Sequence, residues 1–425
     1  MTPRRALTVV DLFAGAGGAS TGLMLAAERL GLDLQLTAIN HWPAAVQTHA
    51  ANHPRAAHLC MAVEAVDPRA VVPGGRLHLL VAGPECTHHS TARGGRPIND
   101  QSRASAWHLL RWCELLQVDH VIIENVPEFR TWGPLDARHR PLKSRKGDTY
   151  RAFLAALESL NYRVEARILN AADYGEATTR KRLFIQAALG RRRIEWPDPS
   201  HSRFAPSLLR HTQRWRPARD VIDWSLPSES IFHRTRPLSA NTLRRIQAGL
   251  ERFGGRPFVL GQHGGATPRS TDEPLPTVTA DGAISCVEPF LLQITHGGRT
   301  HPVSHPLPTI TGGQRGDFAL VEPFTMPYCS NGAQLARPVS EPVGTITTRD
   351  RFALVIPDGM DVRFRMLQRH ELAAAMGFPA DYRFVGTKTD AIRMIGNAWS
   401  VRVAQALCET ALHRHLGNAR SEAVA

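Results

Sequence analysis

Between residues 7 and 189 short apolar runs alternate with helical stretches, and this alternation restricts the fold more than any other feature. LTVVDLF (7–13), LQLTAIN (34–40), LHLLVAG (77–83), HVIIENV (120–126) and RLFIQAAL (182–189) are β-branched or continuously apolar and end in turn residues. Such runs are expected of strands buried on both faces. Helical stretches through Leu23 to Leu30 and over PAAVQTHAANH (43–53) lie between them. The alternation predicts an α/β fold with a doubly wound, mostly parallel sheet, whose ligands bind beyond the carboxyl ends of the strands. Asp11, Asn40, Gly83 and Glu124 all stand at such ends.

After about residue 190 the pattern changes. Arg191-Arg192-Arg193 and several Trp-Pro and Asp-Pro steps mark a boundary. Residues 257–355 hold three copies of one motif. PFVL (257–260), PFLL (289–292) and PFTM (323–326) open them, while EPLPTVTA (273–280), HPLPTITG (305–312) and EPVGTITT (341–348) lie in the middle. ISCVE, FALVE and FALVI close them. Each copy predicts strand-and-hairpin units packed side by side. Helical periodicity returns in MLQRHELAAAMGF (366–378) and from Ile395 to Leu416. The chain therefore divides into 1–190, a β-rich 191–360, a C-terminal return at 361–413 and a tail at 414–425.

Lys and Arg number 51 against 38 Asp and Glu, a surplus of 13 that favours a polyanionic partner. The six cysteines show no CxxC spacing, so neither a zinc site nor a disulfide framework is expected. No apolar stretch approaches the ~20 residues a membrane span needs, and the short run after MTPRR reads as a buried strand. The expectation is a cytoplasmic protein in a reducing compartment.

Four motifs carry chemistry. DLFAGAGG (11–18) follows a strand and precedes a helix, so its glycines let the backbone approach a nucleotide-like ligand; alone, it also fits an ordinary tight turn. GPECTHHS (83–90) puts Cys86 at a strand end, where a thiolate is favoured if the thiol is exposed near a helix N-terminus and a buried structural Cys is the alternative. Glu124 in IIENV is aimed into the cleft, where desolvation raises its pKa and suits it to sharing a proton. In TTRKRLF (178–184) Arg180 and Arg182, two apart on a strand edge, face the same way and suit planar oxygen acceptors or phosphate.

Together these residues resemble the DNA cytosine-5 methyltransferases of bacteria and phages. DLFAGAGG, GPEC, ENV, the RKR of the paired arginines, RMLQRHELAAAMGFPADYRF (365–384) and IGNAWSV (395–401) follow that family's order over roughly 1–190 and 361–412. The resemblance implies a class I S-adenosylmethionine-dependent catalytic domain over 1–190 and a target-recognition domain over 191–360. It implies S-adenosyl-L-methionine as cofactor and no metal. Transfer to carbon 5 of cytosine in duplex DNA would proceed through a Cys86 adduct with a flipped base. Glu124 would hold ring nitrogen 3 and the exocyclic amine, Arg182 the carbonyl oxygen at carbon 2, and Arg180 would support the site or a nearby phosphate.

The cofactor would meet Asp11, Phe13, Ala14, Gly15, Gly17, Asn40, His41, Trp42, Gly83, Pro84, Asn397 and Ala398. DNA would meet Arg93, Arg96 and Arg103 in the loop after Cys86, and Gln262, His263, Arg299 and Arg315 in the repeats. The implied partners are double-stranded DNA and a cognate restriction endonuclease, with the chain a monomer.

The chain departs from the family pattern at several points. Asn40-His41 stands where an acidic residue normally meets ribose, and Ala62-Val63 where an Asp meets adenine, with Glu64 or Asp67 as substitutes. Glu85 replaces a proline, Thr178 a glutamine and His370 an arginine. Two rival readings are an RNA cytosine-5 methyltransferase, against which the long 190–360 insert argues, and a catalytically silent DNA-binding protein of the same fold.

Overall fold

A computed structural model describes residues 6–84, 105–136, 141–204, 211–227, 235 and 367–416, with the backbone of the strands between 229 and 366. A seven-stranded sheet organises the first half. Its strands are β1 (Leu7–Leu12), β2 (Leu34–Asn40), β3 (Ala57–Cys60), β4 (Leu79–Ala82), β5 (His120–Asn125), β6 (Tyr162–Asn170) and β7 (Lys181–Leu189). The spatial order is β3-β2-β1-β4-β5-β7-β6. Strands β1 to β5 run parallel. β4 and β5 are buried along their whole length, which explains the apolar runs over 79–82 and 121–123.

The sequence expectation needs two corrections here. RLFIQAAL does not extend the parallel series: β7 lies between β5 and β6 and is antiparallel to both. LHLLVAG is broken at His78, because Arg76–Leu77 leaves the main sheet to pair with Gln117–Val118. His78 Nδ1 instead accepts the Thr8 amide at 3.0 Å.

Seven helices matter for the site: α1 (Gly18–Leu30), α2 (Pro43–Asn52), α3 (His108–Leu115), α4 (Asp148–Ser159), α5 (Arg369–Ala375), α6 (Lys388–Asn397) and α7 (Val401–His413). One face of the sheet is covered by α3 and α4, in a core containing Leu12, Leu80, Trp112, Ile123 and Phe153. The other carries α1 and α7, with Val9, Leu23, Val81, Leu407 and Leu412 inside. Thus the doubly wound architecture holds, completed by a helix nearly 400 residues from its partner.

Helix α1 starts at Gly18, five residues before the apolar periodicity suggests. The early turn is helical because it packs against α7 too closely for side chains. A Cβ at Gly22 would lie 2.5 Å from the Ala404 side chain and the Val401 carbonyl, and one at Gly18 would lie 2.5 Å from the Trp399 carbonyl.

In the repeat region the opening PF segment of each copy is a strand: Phe258–Val259, Phe290–Gln293 and Phe324–Pro327. Each pairs antiparallel with a second strand beginning at an arginine: Arg269–Ser270, Arg299–Pro302 and Arg337–Pro338. In the second and third copies the FALV segment (Phe318–Val321, then Phe352–Asp358) pairs with the other edge of the PF strand. The internal sequence repeat is therefore a repeated strand arrangement. Leu275–Pro276 also pairs with Thr178–Thr179, joining the first copy to the segment just before β7.

Candidate active site

The carboxyl ends of β1, β2, β4 and β5 lie along one edge of the sheet, and most of the expected site residues stand there. Register explains the pairing of Glu124 with Arg182. Glu124 faces Phe184 across the β5–β7 ladder, so Arg182, two residues on, shares its face and reaches it diagonally. Arg182 Nε lies 3.1 Å from Glu124 Oε1, and Arg180 Nη2 lies 3.7 Å from the same oxygen. Both guanidiniums therefore meet one buried carboxyl group. Burial pushes the Glu124 carboxyl above its usual range, with Arg182 and Arg180 opposing that shift. A carboxyl so placed holds its proton more readily than an exposed one.

The two arginines differ in availability. Arg182 has a side chain 12% exposed, and one of its nitrogens donates to the Lys181 carbonyl at 2.8 Å. Arg180 is sealed, donating from Nη1 to the Gly396 carbonyl and from Nη2 to the Ala398 carbonyl, each at 3.0 Å. Its guanidinium is committed to the protein, which favours support of the site over a nearby phosphate, the two roles expected of it.

The neighbouring Asn125 faces the strand that leads to Cys86. Asn125 Nδ2 donates to the Pro84 carbonyl at 3.3 Å, and its Oδ1 accepts the Val126 amide at 2.9 Å. The ENV segment thus holds the end of the described chain before the cysteine. Cys86 itself, with Arg93, Arg96, Arg103, Gln262, His263 and Arg315, lies outside the described residues; of Arg299 only the backbone is described, as the first residue of its strand.

The glycine turn is built on unusual backbone. Phe13 has φ 59°, Gly15 55° and Gly17 92°. A bulky residue at positive φ is strained and is held only where its surroundings fix it. The Ala14 amide bonds to the Ile39 carbonyl at 3.1 Å, tying the turn to the end of β2. Gly15 is open: an added Cβ would meet nothing nearer than the Phe13 carbonyl at 3.8 Å. Gly17 is crowded, with Tyr382 Oη 2.7 Å from such a Cβ. Gly83 likewise accommodates the Trp399 indole, whose Nε1 would lie 2.8 Å from a Cβ there.

Asp11 requires a correction. Its side chain is buried at 1% exposure and accepts the Ser20 hydroxyl at 2.6 Å. Burial raises its carboxyl to about 7, opposed by the Ser20 hydrogen bonds. Asp11 therefore shapes the turn from behind and presents no carboxylate to a ligand. Asn40, half-buried, is engaged locally, its Oδ1 accepting the Trp42 amide at 2.8 Å. His41 and Asn397 are exposed, and Ala398 is buried as the residue capping α6. Of the two proposed substitutes for a missing acid, Asp67 caps a short helix by accepting the Arg69 amide at 3.1 Å, which leaves exposed Glu64 as the better candidate.

Two further features escape sequence reasoning. The Arg393 guanidinium sits over the Trp42 ring, 4.8 Å from its centroid, bringing α6 to the end of β2. Behind the glycine turn, His49, His53 and His58 cluster with Tyr382. His49 Nδ1 and His58 Nε2 are 2.8 Å apart, Thr21 Oγ1 and His53 Nε2 are 3.0 Å apart, and Tyr382 donates to the Ala16 carbonyl. Burial, helped by His58, lowers His53 to about 4, so the cluster is neutral at physiological pH. The i, i+4 spacing of His49 on α2 and His53 at its C-cap was a legible signal; Tyr382, over 300 residues away, was not.

Among the described residues, no group of His, Cys, Asp and Glu is arranged to hold a metal, and no helix is long and apolar enough to cross a membrane. The implied S-adenosylmethionine can be tested against the edge itself. An open Gly15 beside a half-buried Trp42 gives backbone access and an aromatic face, which suit an adenosine-bearing ligand. The residues present fit the cofactor.

The chain resembles known proteins over nearly its whole length. The chain is 26% identical over 454 residues to the type II methyltransferase M.AgeI of Thalassovita gelatinovora, covering 95% of this chain and 99% of that one. It is 25% identical over 462 residues to DNA (cytosine-5)-methyltransferase 1A of rice, Oryza sativa subsp. japonica, spanning 94% of this chain but 28% of the rice protein. Among solved structures, a Spodoptera frugiperda DNMT2 mutant aligns at TM-score 0.53 with 13% identity, covering 96% of this chain and all of that one. At these identities the structural likeness speaks for the fold alone. The sequence profile described as C-5 cytosine-specific DNA methylase matches residues 7–216 and 324–413, leaving out the first two repeats. On that match, which takes in the glycine turn, Glu124, both arginines and the C-terminal return, the chain belongs to the C-5 cytosine-specific DNA methylases.

Proposed function

We propose that the chain transfers a methyl group from S-adenosylmethionine to carbon 5 of a cytosine flipped out of duplex DNA, with Cys86 as the covalent nucleophile. The convergence of Arg182 and Arg180 on Glu124, beside an Asn125 that holds the chain leading to Cys86, carries this reading.

Carbon 5 of cytosine is a poor nucleophile. Addition of the Cys86 thiolate to carbon 6 breaks the 5,6 double bond and moves its electron pair toward carbon 5. Glu124, kept protonatable by burial, donates to ring nitrogen 3 while accepting from the exocyclic amine. Arg182 donates to the carbonyl oxygen at carbon 2. When bound, the cofactor supplies an electrophilic methyl sulfonium. Loss of the carbon 5 proton to a base and expulsion of the Cys86 thiolate then restore the aromatic ring. Phe13, Gly15, Trp42 and Glu64 would hold the cofactor. Residues 191–360 would read the DNA sequence, with the arginine-led second strand of each repeat as the presenting element. The chain would act as a monomer in the cytoplasm, alongside a cognate restriction endonuclease.

The test is transfer of labelled methyl to duplex DNA and to tRNA by wild type and Cys86→Ser. Transfer to DNA that Cys86→Ser abolishes supports the proposal, as does a covalent complex with 5-fluorocytosine DNA. Undiminished transfer by Cys86→Ser, or transfer to tRNA alone, overturns it.

A further inference from the structure

The far edge of the sheet, away from Glu124, holds a cavity of about 390 Å³ lined by Arg76, Asp119, Arg192, Arg193, Glu195, Thr410, His413, Arg414 and His415. Asp119 precedes β5 and Glu124 lies near its other end, so the two sites are about 16 Å apart along the strand. Topology brings the basic groups together: Arg76 precedes β4, Arg192 follows the antiparallel β7, and Arg414 follows α7.

Four guanidiniums here face two carboxylates. Asp119 is used up, its Oδ2 pairing with Arg76 at 2.9 Å and its Oδ1 with Arg192 at 2.6 Å. Glu195 lies exposed on the rim. Arg414 donates to the Ala411 carbonyl and to His120 Nδ1, at 2.8 and 2.7 Å, and neither partner bears a negative charge. Burial and the nearby Arg192 push Arg414 below its usual pKa, with Asp119 and Glu195 opposing. Among the described residues this guanidinium has no carboxylate at ion-pair distance, its acceptors being a carbonyl and an imidazole. His415, against which His78 packs with ring centroids 5.5 Å apart, has a buried Nε2 without a hydrogen-bond partner. The arrangement offers charge and forked donors within one concavity, beside a buried polar atom that has no partner.

We infer that this cavity binds a small, free, multiply charged phosphate of about diphosphate size, at a site separate from the one that handles DNA. A concave site at the opposite edge suits a compact anion better than a duplex already engaged at Glu124.

Calorimetric titration of the full chain with inorganic pyrophosphate at low ionic strength tests this. One saturable site per chain is expected, weakened roughly tenfold by Arg193→Glu and by Arg414→Gln and unchanged in Cys86→Ser. Arg193 is exposed, so its variant should keep the wild-type unfolding midpoint and guards against misreading a folding defect. Absence of saturable binding, or binding that neither substitution weakens, overturns the inference. Displacement of pyrophosphate by a short duplex from wild type also overturns it, because the occupant is then the DNA backbone.

Discussion

Arg180 Nη2 donates to the carbonyl oxygen of Ala398 at 3.0 Å, across 218 positions of sequence. The same Nη2 lies 3.7 Å from Glu124 Oε1, so one side chain connects the candidate catalytic carboxyl to the segment holding Asn397 and Ala398. Lysine could keep the charge but cannot reproduce the fork to Gly396 and Ala398. Arg180→Lys should lower unfolding free energy by roughly 2–4 kcal/mol, measured by urea denaturation. Methyl transfer should fall at the same time, measured with labelled cofactor.

Glu176 should make stability depend on pH in an unusual direction. Its Oε1 accepts the Arg402 amide at 2.7 Å, while Oε2 is buried without a hydrogen-bond partner. Burial raises this carboxyl from 4.5 to about 8, only partly opposed by the Arg402 amide and the Arg402 and Arg216 charges. The folded state thus binds the proton more tightly than the unfolded state. The contribution is full below about 4.5 and lost as pH rises through about 8, at up to roughly 1.4 kcal/mol per pH unit. Glu176→Gln should flatten the decline in melting temperature between pH 5 and 8, about the span between those two values.

Gly377 should tolerate no side chain. Its φ is 79°, and an added Cβ would land on the Glu176 carboxylate. Gly377→Ala is expected to cost roughly 2–4 kcal/mol from backbone strain and collision combined, read as a shift in denaturation midpoint. Gly74, beside which a Cβ meets nothing within 4 Å, is the control, and Gly74→Ala should leave the midpoint nearly unchanged.

Trp42 should matter for cofactor binding more than for folding, being half-buried with Arg393 over its ring. Trp42→Ala is expected to weaken S-adenosylmethionine binding about tenfold, by calorimetry, and Trp42→Phe to restore most of it. Equal binding by Trp42→Ala and wild type would remove this residue from the cofactor site.

Most of the sheet was legible because strands buried on both faces write themselves as apolar runs. The direction of β7 was not, since the same run suits either orientation and the connection decides. The glycines before Leu23 read as loop because helix propensity disfavours them; packing against α7 overrides propensity and requires them. Glu124, Arg180 and Arg182 were recoverable from strand ends and spacing. The bracing of Arg180 by Gly396 and Ala398 was not, because it rests on carbonyl groups that every residue possesses. Asp11 misled for a related reason: a strand-end carboxylate can point inward when a serine in the first turn of the next helix donates to it.

The packing of α1 against α7 sets an order of assembly during translation. The ribosome makes residues 18–30 long before residues 401–413, with the whole repeat region between them. Until the later helix emerges, the small-residue face of α1 around Gly18 and Gly22 has no lid, and Arg180 lacks its carbonyl acceptors. A nascent chain halted at residue 360 would hold Glu124 without that brace. Co-expressing 1–360 with 361–425 should therefore recover methylation that neither fragment shows alone.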